Sequence, residues 1–148
     1  TYLKVRSIAH AKNAGVIANK GLLVAVKLMA EKISDANKLT ITVLHYGLSK
    51  PLDNDFELTM FRMIQELITN IIKHANAKQI TINLSLFDNI LNLIVEDDGQ
   101  GFHDNTNTLH KGMGLHSIKT RLDHLKGTFE IDSTLGKGTS IIINAPLQ

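Results

Sequence analysis

The sequence predicts a two-layer α/β (α+β) sandwich, in which a mixed, mostly antiparallel sheet of about five strands is covered by about three helices. Three observations predict it. Four segments that alternate or run apolar fall into two pairs, each joined by a short polar turn, as hairpins are. Residues 56–74 carry a long apolar stripe at helical spacing. Shorter helical patterns and one further strand interleave with them, and no repeat or low-complexity segment interrupts the order. The chain has 148 residues, 43% of them hydrophobic and 20% charged, which suits one domain with a core of its own.

The elements follow in order. Leu3, Val5, Ile8 and Ala9 give residues 1–12 a weak helical spacing, and Asn13-Ala14-Gly15 reads as a helix end. Gly21 to Ile33 is a firmer helix, with Leu22, Val26, Met29 and Ile33 three or four apart. Lys38 to Tyr46 alternates Leu39, Ile41 and Val43 against Thr40, Thr42 and Leu44, a strand pattern. A loop with Pro51 leads into the strongest helix, Phe56 to His74. Met60, Ile64, Leu67, Ile71 and Ala75 line its apolar stripe, widened by Phe61, Ile68 and Ile72. Gln79 to Phe87 alternates Ile80, Ile82, Leu84 and Leu86 against Thr81, Asn83 and Ser85. Asp88-Asn89 turns it back into Ile90 to Val95. After a polar loop, Met113 to Leu125 is helical through Leu115, Ile118, Leu122 and Leu125, and Gly127 ends it. Thr128 to Asp132 and Thr139 to Ala145 form a second hairpin around Leu135-Gly136-Lys137-Gly138.

Composition narrows the function. Sixteen basic residues stand against fourteen acidic ones, a net charge of +2 without a basic block, so nucleic acid is not an expected partner. There is no cysteine, which removes disulfides and thiolate metal sites and agrees with a reducing, cytoplasmic compartment. No apolar run approaches the roughly 20 residues that span a bilayer. The seven histidines are scattered and show no metal-ligand spacing. The chain opens inside a helical pattern, as a piece of a longer protein would.

Four motifs stand out. On residues 56–74 a second stripe, Arg62, Glu66, Asn70 and Lys73 or His74, shares one face. Taken alone it describes a solvated helix surface. Read chemically, Glu66 and Asn70 offer oxygen one turn apart, which suits Mg²⁺, and Lys73 offers a point charge for phosphate. Asp97-x-Gly99-x-Gly101 follows an apolar strand. It is either a turn or a ligand site in which an ionised carboxylate, able only to accept, selects the exocyclic amine of adenine over the carbonyl of guanine. Asp98 would point the other way. Gly112-x-Gly114-Leu115 opens a helix, where backbone amides can face an anion. Gly136-x-Gly138-Thr139 occupies the last hairpin.

In this order and spacing, Glu66-x-x-x-Asn70-x-x-Lys73-His74-Ala75, Asp97-x-Gly99-x-Gly101, Gly112-x-Gly114-Leu115 and Gly136-x-Gly138-Thr139 resemble the N, G1 and G2 boxes and terminal Gly-Thr of the GHKL ATPase superfamily. The wording of residues 61–67, Lys73-His74-Ala75 and Gly112-Met113-Gly114-Leu115 with Arg121-Leu122 is most similar to the catalytic domain of sensor histidine kinases that partner NarL-type response regulators. The resemblance covers about residues 38–147. It implies a Bergerat-type fold that binds ATP with Mg²⁺ and transfers the γ-phosphoryl group to a histidine. Asn70 would hold Mg²⁺, Glu66 would assist the metal or polarise the acceptor, and Lys73 and His74 would approach the phosphates. Asp97 would read adenine with Thr139 in support, Gly99 and Gly101 would let backbone pass close to the base, and residues 102–114 would form a lid hinged at Gly112 and Gly114.

Residues 1–36 would be the end of a dimerisation and linker helix region, with the ATP-binding domain at 37–148. The acceptor histidine would lie upstream on a dimerisation domain, since His10 is followed by Ala11 and lacks the His-Asp wording. Partners would be that phosphotransfer domain and a response regulator, in a full-length homodimer. The competing readings are an anti-sigma-factor-type serine kinase and a non-catalytic ATP-binding module.

Overall fold

The computed structural model describes residues 21–101 and 115–147. The expected helix within residues 1–12, the lid at 102–114 and the start of a helix at Met113 lie outside the described residues. The described elements are α1 (Leu22–Asn37), β1 (Thr40–Tyr46), α2 (Asn54–His74), β2 (Gln79–Phe87), β3 (Ile90–Asp97), α3 (Leu115–His124), β4 (Thr128–Thr134) and β5 (Gly138–Pro146). They form the expected sandwich.

One five-stranded sheet has the order β1-β2-β3-β5-β4. Both hairpins are antiparallel, and β5 crosses over to pair antiparallel with β3. β1 pairs with β2 in parallel, through the α2 crossover. The β2–β3 turn is as short as the sequence suggests. Asp88 and Asn89 have φ of 55° and 61°, the left-handed pair that a two-residue hairpin needs and that short polar side chains tolerate best.

Alternation turns into layers. Ile80, Ile82 and Leu84 of β2, Leu91, Leu93 and Val95 of β3, and Ile141, Ile143 and Ala145 of β5 are all buried on the helix-covered face. Met60, Phe61, Met63, Ile64, Leu67, Ile68 and Ile71 of α2 pack onto them. The same core takes Leu22, Ala25, Val26 and Met29 of α1 and Leu115, Ile118 and Leu122 of α3. The division expected between residues 36 and 37 thus falls at the end of a helix whose inner face belongs to this core.

Helix α2 starts two residues earlier than its apolar stripe. Asp53 caps it by accepting from the Phe56 amide at 3.2 Å, and Asp55 and Glu57 in the first turn complement the positive end of the dipole. β3 runs two residues further than its apolar run and ends on Asp97. Among the described residues no helix is long and apolar enough to cross a membrane.

Candidate functional site

The site is built where β3 ends. Strand alternation that buries Leu91, Leu93 and Val95 carries Asp97 to the next inward position, so its carboxylate sits at the rim of the core and is only 9% exposed. In register with it lie Ile80 on β2 and Thr139 on β5. One Asp97 oxygen accepts from the Gly99 amide at 2.8 Å. Burial pushes the Asp97 carboxyl above the ordinary carboxylate value; the amides of Gly99 and Thr139 oppose that rise, and the neighbouring Asp98 adds to it. Among the described residues two backbone donors meet a group that has about four acceptor positions, so on these residues Asp97 keeps acceptor capacity for a ligand.

Asp98 has a different task. Its side chain is exposed and accepts from the Lys78 and Gln79 amides at 2.8 Å and 2.9 Å, which tie β3 to the start of β2. Those bonds, Gln79 first, pull its carboxyl below the ordinary value.

The loop after Asp97 is pressed onto the C-terminal end of α2. The Gln100 amide donates to the Ala75 carbonyl at 2.8 Å, and the Gln100 side chain donates to the His74 carbonyl at 2.6 Å. These bonds satisfy carbonyls that the helix end leaves open. A methyl group at Gly99 would stand 2.3 Å from the Ala75 oxygen, so the close approach needs glycine. From the other side the β4–β5 hairpin closes in: the Gly136 amide donates to the Gln100 carbonyl at 2.6 Å. Gly138, at φ 95°, brings its Cα so near that a Cβ would meet the Asp97 carbonyl oxygen at 2.0 Å. Thr139 shares a hydroxyl–hydroxyl bond of 2.9 Å with Ser133. Asp97, Gly99, Gly101, Gly138 and Thr139 are therefore brought together, at the end of α2 that bears Lys73 and His74.

The second stripe of α2 faces away from the core. Arg62, Lys73 and His74 are exposed, and Glu66 and Asn70 are partly covered. Glu66 is engaged by α3: Ser117 Oγ donates to one of its oxygens at 2.7 Å and Arg121 Nη1 to the other at 3.3 Å. With side chains 38% and 28% exposed, the Arg121–Glu66 pair is worth at most about 1 kcal/mol of stability. Among the described residues no three His, Asp or Glu side chains converge into a metal cage. A cation here would take one or two protein oxygens and complete its shell elsewhere, which is the habit of Mg²⁺. Leu115, expected at the ligand, is fully buried in the core at the start of α3. Gly112 and Gly114 lie outside the described residues.

Sequence reasoning missed Ser117, Ser133, Gln100 and Glu57. Glu57 is 4% exposed and its carboxylate accepts from the Leu22 amide at 2.9 Å and the Leu52 amide at 2.8 Å, capping α1 from another helix. Its helical phase, one turn before Met60 and Phe61, was the available signal.

Residues 56–148 match the family profile described as histidine kinase-, DNA gyrase B-, and HSP90-like ATPase. Among curated proteins, the chain is 37% identical over 95 residues to the signal transduction histidine-protein kinase/phosphatase DegS of Bacillus subtilis (strain 168), covering 63% of this chain and 25% of that one. It is 32% identical over 134 residues to the sensor histidine kinase ComP of the same organism, covering 90% of this chain and 17% of ComP. The chain thus spans a quarter or less of these two relatives. Among solved structures, the histidine kinase domain of the Erythrobacter litoralis EL346 blue-light activated histidine kinase superposes with a TM-score of 0.71 at 20% identity, over 85% of this chain and 61% of that one. The Acinetobacter baumannii histidine kinase AdeS gives a TM-score of 0.68 at 19% identity, over 99% of this chain and 80% of AdeS. At those identities the likeness is one of fold.

Proposed function

Because the chain belongs to the histidine kinase-, DNA gyrase B-, and HSP90-like ATPases, we propose that it is the ATP-binding catalytic domain of a two-component sensor histidine kinase. It passes the γ-phosphoryl group of ATP to a histidine on a dimerisation domain. The observation that carries the reading is Asp97: a nearly buried carboxylate with open acceptor capacity, held by backbone donors and roofed by glycines. The similarity to DegS and ComP, both histidine kinases, supports the same conclusion.

In this reading Asp97 accepts from the adenine amine, with Thr139 beside it and the Gly99 and Gly101 backbone against the base. Asn70 holds Mg²⁺, with Glu66 as its assistant or as the group that polarises the acceptor; both supply the oxygen that such a cation prefers. Bound there, Mg²⁺ would neutralise phosphate charge. Lys73 and His74 at the helix end would approach the phosphates, with Gly112, Gly114 and Leu115 as the motif of the phosphate-side cover and Leu115 anchored in the core. Transfer rests on positioning and charge neutralisation, since the histidine nitrogen, the phosphorus and the leaving oxygen of ADP need only be held in line. The ATP-binding unit includes α1. The partners are the kinase's own dimerisation domain and, through the full-length homodimer, a NarL-type response regulator in the cytoplasm.

Titration with ATP and GTP, on the parent protein and on Asp97→Ala, tests the reading. We expect ATP preference in the parent and its loss in the variant. Equal affinity of the parent for both nucleotides would sink the adenine assignment.

A further inference from the structure

The reading above, on which this inference rests, leaves open how Glu66 is aimed. Its neighbours supply an answer. Ser117 and Arg121 are four residues apart and so share one face of α3. From that face Ser117 Oγ donates to one Glu66 oxygen at 2.7 Å and Arg121 Nη1 to the other at 3.3 Å. Two donors on two oxygens fix the plane of a carboxylate, which one donor does not. Among the described residues these two donors leave about two of its roughly four acceptor positions to other partners. Glu66 lies one turn before Asn70 on the same helix face.

We propose that Ser117 and Arg121 are positioning residues for phosphoryl transfer, acting through Glu66 by setting the orientation of its carboxylate. Two observations favour this over a scaffolding role. The pair is partly solvated, with side chains 38% and 28% exposed. Helix α3 is docked without it, through Leu115, Ile118 and Leu122, each at most 1% exposed. A grip that adds little to stability, yet restrains both oxygens of a carboxylate on the face that carries Asn70, is suited to geometry. Small misplacements of such a group lower rate more than affinity.

The test uses the full-length kinase that carries this chain. Histidine phosphorylation rates at saturating ATP and the KM for ATP are compared in the parent, Arg121→Ala, Glu66→Gln and the double variant. We expect Arg121→Ala to lower kcat about tenfold with KM changed less than about twofold. Because Arg121 acts through Glu66, the double variant should be no slower than Glu66→Gln alone. Arg121→Lys should recover part of the rate, and Ser117→Ala repeats the comparison should Arg121→Ala fold poorly. Full kcat in Arg121→Ala and Ser117→Ala, or losses that multiply in the double variant, overturns the proposal. If the parent fails to bind ATP or phosphorylates serine instead, the function reading falls and this inference with it. A normal parent with unaffected variants overturns this inference alone.

Discussion

Asp97 lives under two opposed demands, and its titration reports them. Burial favours the protonated acid, whereas a ligand amine needs the ionised acceptor. The native state holds its proton at higher pH than the unfolded chain does. Its contribution is therefore fully present below the unfolded value of about 3.8 and is lost as pH rises through the raised native value. Asp97→Asn should remove that loss, so its unfolding free energy should fall less than the parent's between about pH 4 and neutrality. Chemical denaturation across that range measures it, and the same variant should bind ATP at least about tenfold more weakly, one hydrogen bond to a charged group being worth about 1.5–3 kcal/mol. Asp98 has the opposite sign. Its lowered carboxyl adds stability above the ordinary value that is lost as pH falls through the native one. Asp98→Ala frees the Lys78 and Gln79 amides to solvent and should cost about 1 kcal/mol without touching nucleotide affinity.

At the scale of elements, the site is a junction of three ends: the C-terminus of α2, the exit of β3 and the β4–β5 turn. Each meets the next through backbone, which makes the glycines structural. In Gly99→Ala the new methyl group meets the Ala75 backbone carbonyl, which cannot swing aside, and also crowds the Ala75 Cβ and the Asp97 carboxylate. We expect about 3 kcal/mol of destabilisation, with thermal melting as the measure. Glu57 joins elements differently, by holding the first amide of α1 and the amide of Leu52 on one buried carboxylate. Glu57→Gln would set an amide group against one of those donors. A cost of about 2 kcal/mol is expected, readable in urea denaturation. A loss below about 0.5 kcal/mol would show that the cap is dispensable.

At the scale of the molecule, one core joins all three described helices to the sheet. A version that begins at Leu39 exposes the partners of Leu22, Ala25, Val26 and Met29, and we expect it to lose the cooperative unfolding transition seen by circular dichroism. Most of this architecture was legible in residue patterns. Period-two alternation marked β1 and β2, and the stripe from Met60 to Ala75 marked α2. Asp97 and Gly99 were legible as candidates because carboxylates and glycines at strand ends sit poorly in an ordinary core, whereas Thr139 became a candidate only through the family resemblance. What stayed hidden depends on tertiary pairing. Nothing local says that β1 lies parallel beside β2, that Glu57 caps another helix, or that Ser117 and Arg121 reach Glu66 across more than 50 residues of chain.

The two-residue turn at Asp88 and Asn89 deserves to be seen as the zero mark of a ruler. From it β3 counts Leu91, Leu93, Val95 and Asp97 inward, and β5 matches the count at Thr139. One residue inserted at that mark, far along the sheet from the ligand end, would turn Glu96 inward and Asp97 out. On the reading proposed above, base recognition would thus be a length measurement made by the chain on itself, with nucleotide binding as the check that it was counted correctly.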